Sequence, residues 1–266
     1  MILRQVLEWL TDPAHWHGPD GVPVRVGQHL SYTVISVLGA AAIAVPLGLF
    51  VGHTGRGGLV LVGLGNALRA LPTLGLVTFL FLLLGGSQTS TLIGLVVLAV
   101  PPILAGTYAG VAGTDRNVVD AARGMGMTGW QRLWQVEVPN ALPLLLGGLR
   151  NAVLQVVATA AVAAYVGLGG LGRFLLDGLR SLDYPKVVAG ALLVTLLAVL
   201  LDVVLSLVQR VVVPRGLRVT QHVAAGVGRG GRDRSSAVVV PVEVPADGAD
   251  GEPVDVGTGR KEGTGG

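Results

Sequence analysis

The sequence contains no cysteine, which excludes disulfides, thiolate metal sites and thiol nucleophiles. Charge is scarce: Asp, Glu, Lys and Arg make up 13% of the 266 residues, where a soluble domain carries about 25%. Aromatic residues are at 5%. The only lysines are Lys186 and Lys261, and neither follows a glycine-rich phosphate loop. The chain therefore lacks the GxxxxGK[ST] motif needed to bind and hydrolyse ATP in the P-loop manner. HExxH and GxSxG are missing too, so nothing points to an intramembrane hydrolase. His15 and His17 lack further ligands at useful spacing, so no metal site is expected. Neither a cofactor nor a nucleic-acid partner is indicated.

What is present is apolar and small. Hydrophobic residues reach 51% and glycine numbers 41, with a mean hydropathy of +0.67. This is the composition of an integral membrane protein, in which small residues let helices approach closely. The expected fold is all-α: a polytopic bundle of five or six transmembrane helices. Residues 1–27 carry Trp9 and Trp16 and predict an interfacial segment. Spans are expected at Leu30–Val51, Leu59–Gly85, Leu92–Val111, Asn140–Val166 and Val187–Val213. Pro72 either kinks the second into one tilted span or divides it into two half-length pieces, and Pro101 and Pro102 bend the third. Asn140 is read as the cap of the fourth span, with Pro143 in its first turn.

The membrane domain is taken as residues 28–213. Residues 214–266 turn to Gly, Arg, Asp and Pro without apolar periodicity and predict a disordered cytoplasmic tail, its basic half available to anionic lipid. Arg56, Arg116, Arg123, Arg132, Arg210, Arg215 and Arg218 fall on one side of the five spans. Arg4, Arg25, Arg173, Arg180 and Lys186 fall on the other. This modest bias predicts an outside N-terminus and a cytoplasmic C-terminus in a multi-pass cell-membrane protein.

One long polar stretch interrupts the spans. Residues 113–140 begin with Thr114 or Asp115 as a helix cap, are broken by Gly124 and Gly126, and restart at Thr128. Gln131 follows three residues later, which is capping-box spacing. Trp130, Leu133, Trp134 and Val138 share one face, and Pro139 is read as the end of this second helix. A helix-turn-helix outside the bilayer, with one apolar face, is a docking element.

Within this stretch Asp120, Ala121, Ala122, Gly126, Val136, Val138 and Pro139 resemble the signature loop of ABC importer permeases of the binding-protein-dependent kind. That family's pattern is Glu-Ala-Ala, three residues, Gly, nine residues, Ile-x-Leu-Pro. Asp stands here for Glu, and Val for both Ile and Leu. ALRALPTLGL around Pro72, ARGMGMTGWQ in the loop, and Tyr165-Val-Gly-Leu-Gly-Gly-Leu-Gly172 are similar to the glycine betaine, carnitine and choline subfamily. No strand precedes the last of these, so it is not read as a dinucleotide site.

The resemblance implies a non-enzymatic permease subunit whose loop docks on a separate cytoplasmic ABC ATPase. It implies a second permease subunit, an extracytoplasmic substrate-binding protein and alternating access. Rival readings are the same machine carrying an amino acid such as methionine, a membrane scaffold without a pathway, and a secondary transporter, the last disfavoured because no inverted repeat is evident. Among polar residues inside spans, Arg69 and Asp202 both sit roughly 12–15 Å deep at 1.5 Å per residue, and are expected to pair. Gln155 and Thr159, one turn apart, either face the pathway or join helices.

Overall fold

The computed structural model describes residues 2–213; the tail expected at 214–266 lies outside them. Ten α-helices occur among the described residues, in chain order α1 (Ile2–Thr11), α2 (Val22–Thr54), α3 (Gly58–Ala70), α4 (Thr73–Leu83), α5 (Gln88–Ala112), α6 (Arg116–Gly124), α7 (Gly129–Arg132), α8 (Val138–Ala163), α9 (Gly172–Ser181) and α10 (Tyr184–Val212). A π-helical turn, Leu133–Glu137, joins α7 to α8.

Helices α2, α5 and α8 form the centre, and glycine is what lets them meet. Gly48 and Gly52 lie one turn apart on α2, and a Cβ at either would stand 2.7 Å from the Cβ of Thr107 or Val111 on α5. Gly106 and Gly110 do the same on the other side of α5, where a Cβ would come 2.6 Å from Leu144 O and 2.8 Å from Ala141 O of α8. Gly148 of α8 answers them, 2.6 Å from Pro102 O by the same measure. Lipid tails are as apolar as leucine, so helices in a bilayer gain more from such close backbone contact than from expelling hydrophobic surface. Leu95, Ile103, Val156 and Val157, fully buried, fill the space around these crossings.

One proline inside a span is matched by a side chain from a neighbour. Pro102 has no N–H to give Leu98 O, and the amide of Gln155 on α8 donates to that oxygen at 3.0 Å. Gln209 of α10 donates to Pro143 O at 3.0 Å, a tie between α10 and α8 rather than a replacement for a proline's missing N–H.

The second expected span is divided. Proline disfavours the helical region for the residue before it, and Leu71 is extended (φ −71°, ψ 134°). The chain turns there through 91° between α3 and α4. Gly58 at the start of α3 lies against Tyr108 near the end of α5, whereas Gly94 near the start of α5 lies against Val77 and Leu80 of α4. The pair thus crosses the bundle in two steps, a fifth crossing beside the four long apolar helices.

Helix α1 belongs to the same compact unit as the spans. Val6 and Trp9 pack in one cluster with Leu171, Phe174, Ala189 and Leu197. Trp9 stacks on His15 at 4.1 Å and meets Phe174 edge-on at 5.4 Å. Ile2, Leu3 and Leu7 stay exposed. The boundary expected after residue 27 falls inside α2, which starts at Val22.

Candidate functional site

The polar stretch forms a helical hairpin at one end of the bundle. The Asp115 carboxylate caps α6 by accepting from Asn117 N at 2.9 Å. Gly126 makes the turn at φ +80°, a left-handed conformation that costs glycine little and other residues more. Thr128 then starts α7 with a reciprocal capping box: its hydroxyl accepts from Gln131 N, and its own N–H donates to Gln131 Oε1 at 2.9 Å.

Two expectations for this region need correction. Pro139 does not end the second helix, and Asn140 does not cap a new one. From Gly129 to Val166 the chain runs as one helical stretch of 38 residues. The π turn is the reason. Val138 N donates to Leu133 O, five residues back; the wider turn accommodates the ring of Pro139, which in a regular helix crowds the carbonyl four residues before it. The Asn140 amide donates to Val136 O at 2.7 Å.

The signature positions divide by exposure. Ala122 is buried and Val138 joins Leu49, Val111, Leu133 and Ala141 in a cluster. Asp120, Ala121 and Gly126 face outward, Asp120 pairing with Arg123 at 3.3 Å, while Val136 and Pro139 are half-buried. The single apolar face expected for the second helix also divides. Leu133 points into the bundle, while Trp130 is 70% exposed and Trp134 45%, their rings 5.5 Å apart. With Met125, 76% exposed, they leave an apolar surface on the outside of the hairpin.

Glu137 and His53, passed over in the sequence reading, and Arg132, counted there only for its charge, tie this hairpin down. Glu137, in the π turn, is buried; its Oε1 accepts from Arg132 Nε at 3.0 Å, and its Oε2 lies 2.6 Å from Nδ1 of His53 in the last turn of α2. Glu137 occupies the unspecified position between Val136 and Val138, so spacing alone gives it no weight.

Of the expected Arg69–Asp202 pair the structure describes one member. Asp202 is held by Arg150 of α8, whose Nε and Nη2 each donate to one carboxylate oxygen at 2.6 Å. The side chain of Arg69 lies outside the described part of the chain. Matched depth does not fix which way a residue faces around its helix, and Arg150 stands on one of the helices that α10 packs against.

Gln155 lines a cavity of about 310 Å³ with Leu68, Leu71, Thr73, Leu98 and Pro101, at the bend between α3 and α4. Thr159 is buried and donates within its own helix to Gln155 O at 2.8 Å. At the opposite end from the hairpin, the glycine-rich loop covers the start of α2: Gly170 N donates to Gln28 Oε1 at 3.0 Å, and a Cβ on Gly169 would fall 2.6 Å from that same oxygen. His15 and His17 contact the backbone oxygens of Trp9 and Pro13, at 2.9 and 2.8 Å.

This arrangement has relatives. Residues 44–217 match the family described as binding-protein-dependent transport system inner membrane component. The glycine betaine/carnitine/choline transport system permease protein OpuCB of Bacillus subtilis is 34% identical over 200 residues, covering 75% of this chain and 92% of its own. The osmoprotectant import permease protein OsmW of Salmonella typhimurium is 37% identical over 196 residues, covering 72% and 91%. Among solved structures, the inward-facing MetNI methionine ABC transporter in its CY5 native crystal form aligns over 73% of this chain and 96% of its own, with a TM-score of 0.64 at 22% identity; this likeness concerns the fold. With the family's description matched across most of its spans and its hairpin, the chain belongs to the binding-protein-dependent transport system inner membrane components.

Proposed function

We propose that this chain is the permease subunit of an ABC importer for a compatible solute of the glycine betaine, carnitine or choline class. A separate ATPase supplies the energy, and an external binding protein supplies the substrate. The observation that carries this reading is the hairpin. A glycine turn and a capping box hold Met125, Trp130 and Trp134 outward while Leu133 anchors the hairpin to α2 and α5. A rigid apolar projection at the end of a bundle fits a cleft on another protein better than it fits solvent.

ATP closes the ATPase dimer, the two hairpins of a permease pair are drawn together, and the spans open to the outside. Asp120, Ala121, Ala122, Gly126, Val136, Val138 and Pro139 are the residues assigned to this coupling. The hairpin end is then cytoplasmic and the N-terminus outside, as the arginine distribution favours. The substrate passes the cavity lined by Thr73 and Gln155. Among the described residues that lining holds no aromatic cage for a quaternary ammonium, so selection rests with the binding protein.

The test is uptake into proteoliposomes holding this chain, its ATPase and its binding protein. ATP-dependent accumulation of labelled glycine betaine, carnitine or choline is expected. Accumulation of methionine instead identifies an amino-acid importer, and ATP-independent behaviour with no uptake of either identifies a scaffold.

A further inference from the structure

The hairpin meets the spans through few contacts. Beside α6 lies an open groove of about 360 Å³, bordered among others by His53, Arg116, Asp120, Arg123 and Glu137. This helix packs mainly on the π turn and α7. Two attachments remain below it. One is apolar, where Leu133 sits in the cluster with Leu49 and Val111. Contacts of this kind are not directional and tolerate sliding. The other is ionic and directional. The Glu137 side chain is 5% exposed, Arg132 13% and His53 18%. One carboxylate oxygen is given to each cationic or donor group, and Arg132 Nη2 also lies 3.4 Å from His53 Nε2, closing a triangle. The partners are 84 and 79 residues apart in sequence, so the triangle links separate elements. A Cβ on Gly129 would stand 3.4 Å from His53 Nε2, so the ring lies directly against the first residue of α7.

We propose that His53, Arg132 and Glu137 are positioning residues that lock the foot of α2 to the hairpin, so that a hairpin displacement moves α2 as well as α8. The helix α8 follows the hairpin through a continuous backbone. Helix α2 has no such covalent link, and its directional tie to the hairpin is this carboxylate. A hydrogen-bonded carboxylate fixes both distance and direction, and leaving one partner buried without the other is strongly unfavourable. The lock therefore moves as a unit. This inference rests on the hairpin being the site of ATPase docking.

The experiment uses the reconstituted complex of permease, ATPase and binding protein, and compares solute taken up per ATP hydrolysed. Glu137→Gln keeps the shape of the side chain and removes its charge. Hydrolysis is expected to continue while uptake per ATP falls on the order of tenfold, the size of a typical coupling free energy. His53→Leu should act alike. His53→Asn keeps an N–H donor near the position of Nδ1 and should restore most of the ratio. An unchanged ratio in Glu137→Gln overturns the lock. So does a parallel loss of hydrolysis and uptake with a lowered melting temperature, which marks a structural role only. So does a His53→Asn complex as uncoupled as His53→Leu. A wild-type complex with no ATP-driven uptake of any solute instead removes the docking reading underneath.

Discussion

Helices α5 and α10 are both long and apolar, yet half of the most apolar stretch of α5 is buried against 6% of that of α10. The more apolar of the two is the more exposed. In water this order would be reversed; in a bilayer leucine and valine are content to face lipid, and what selects the centre is the ability to come close. Helix α5 is central because Gly106 and Gly110 bring its backbone against α8. Helix α10 lies outside; Gly190 packs it on Phe174 and Leu175 of α9, and the Arg150–Asp202 pair and the Gln209 amide on Pro143 O tie it to α8.

Substitutions that add atoms to the centre should do the most damage. Gly148→Leu drives a side chain toward Pro102 O, where even a Cβ would be 2.6 Å away. Destabilisation of about 3 kcal/mol is expected, the upper range for overpacking a tight contact, read as a lower melting temperature in detergent and poor recovery of folded protein. Arg150→Leu and Asp202→Leu should each lower the melting temperature less than this, because α10 keeps its other attachments. The double variant should recover most of the loss, since two apolar side chains replace a lone charge. A double variant as unstable as the worse single one would mean that the pair does more than pin α10.

Gly126→Val meets no atom within 4 Å but must hold φ at +80°. The expected cost is about 1–2 kcal/mol, confined to the hairpin. Uptake should fall while insertion and the melting temperature of the spans hardly change. Leu200→Val on the exposed face of α10 should shift stability by no more than about 0.5 kcal/mol. A larger shift would show that this face is covered by protein rather than lipid.

The sequence made the spans visible because hydropathy marks membrane crossing whatever the packing. It made the hairpin visible because Gly126 and the Thr128–Gln131 box are local signals, each readable within a few residues. Other features depend on direction around a helix, or on compensation at a distance, and could not be read this way. Pro139 looks like a stop signal until the π turn before it is seen. Gln155 looks like a pathway residue, and its amide serves the carbonyl that Pro102 leaves without a donor, while its side chain also borders the cavity. Asp202 stood out as a charge within a span, but its bond to Arg150 depends on which way each residue faces around its helix. Glu137 sat in a position the family pattern leaves open, and only the fold brings His53 to it.

The absence of cysteine makes the decisive measurement clean. Met125, exposed at the tip of the hairpin, can be replaced by a single Cys and treated with a bifunctional maleimide-photoreactive reagent in sealed membranes carrying the ATPase. If the hairpin is the docking element, Met125→Cys should crosslink to the ATPase subunit and resist a membrane-impermeant maleimide added outside. Labelling from the outside, or crosslinks that never contain the ATPase, would contradict it.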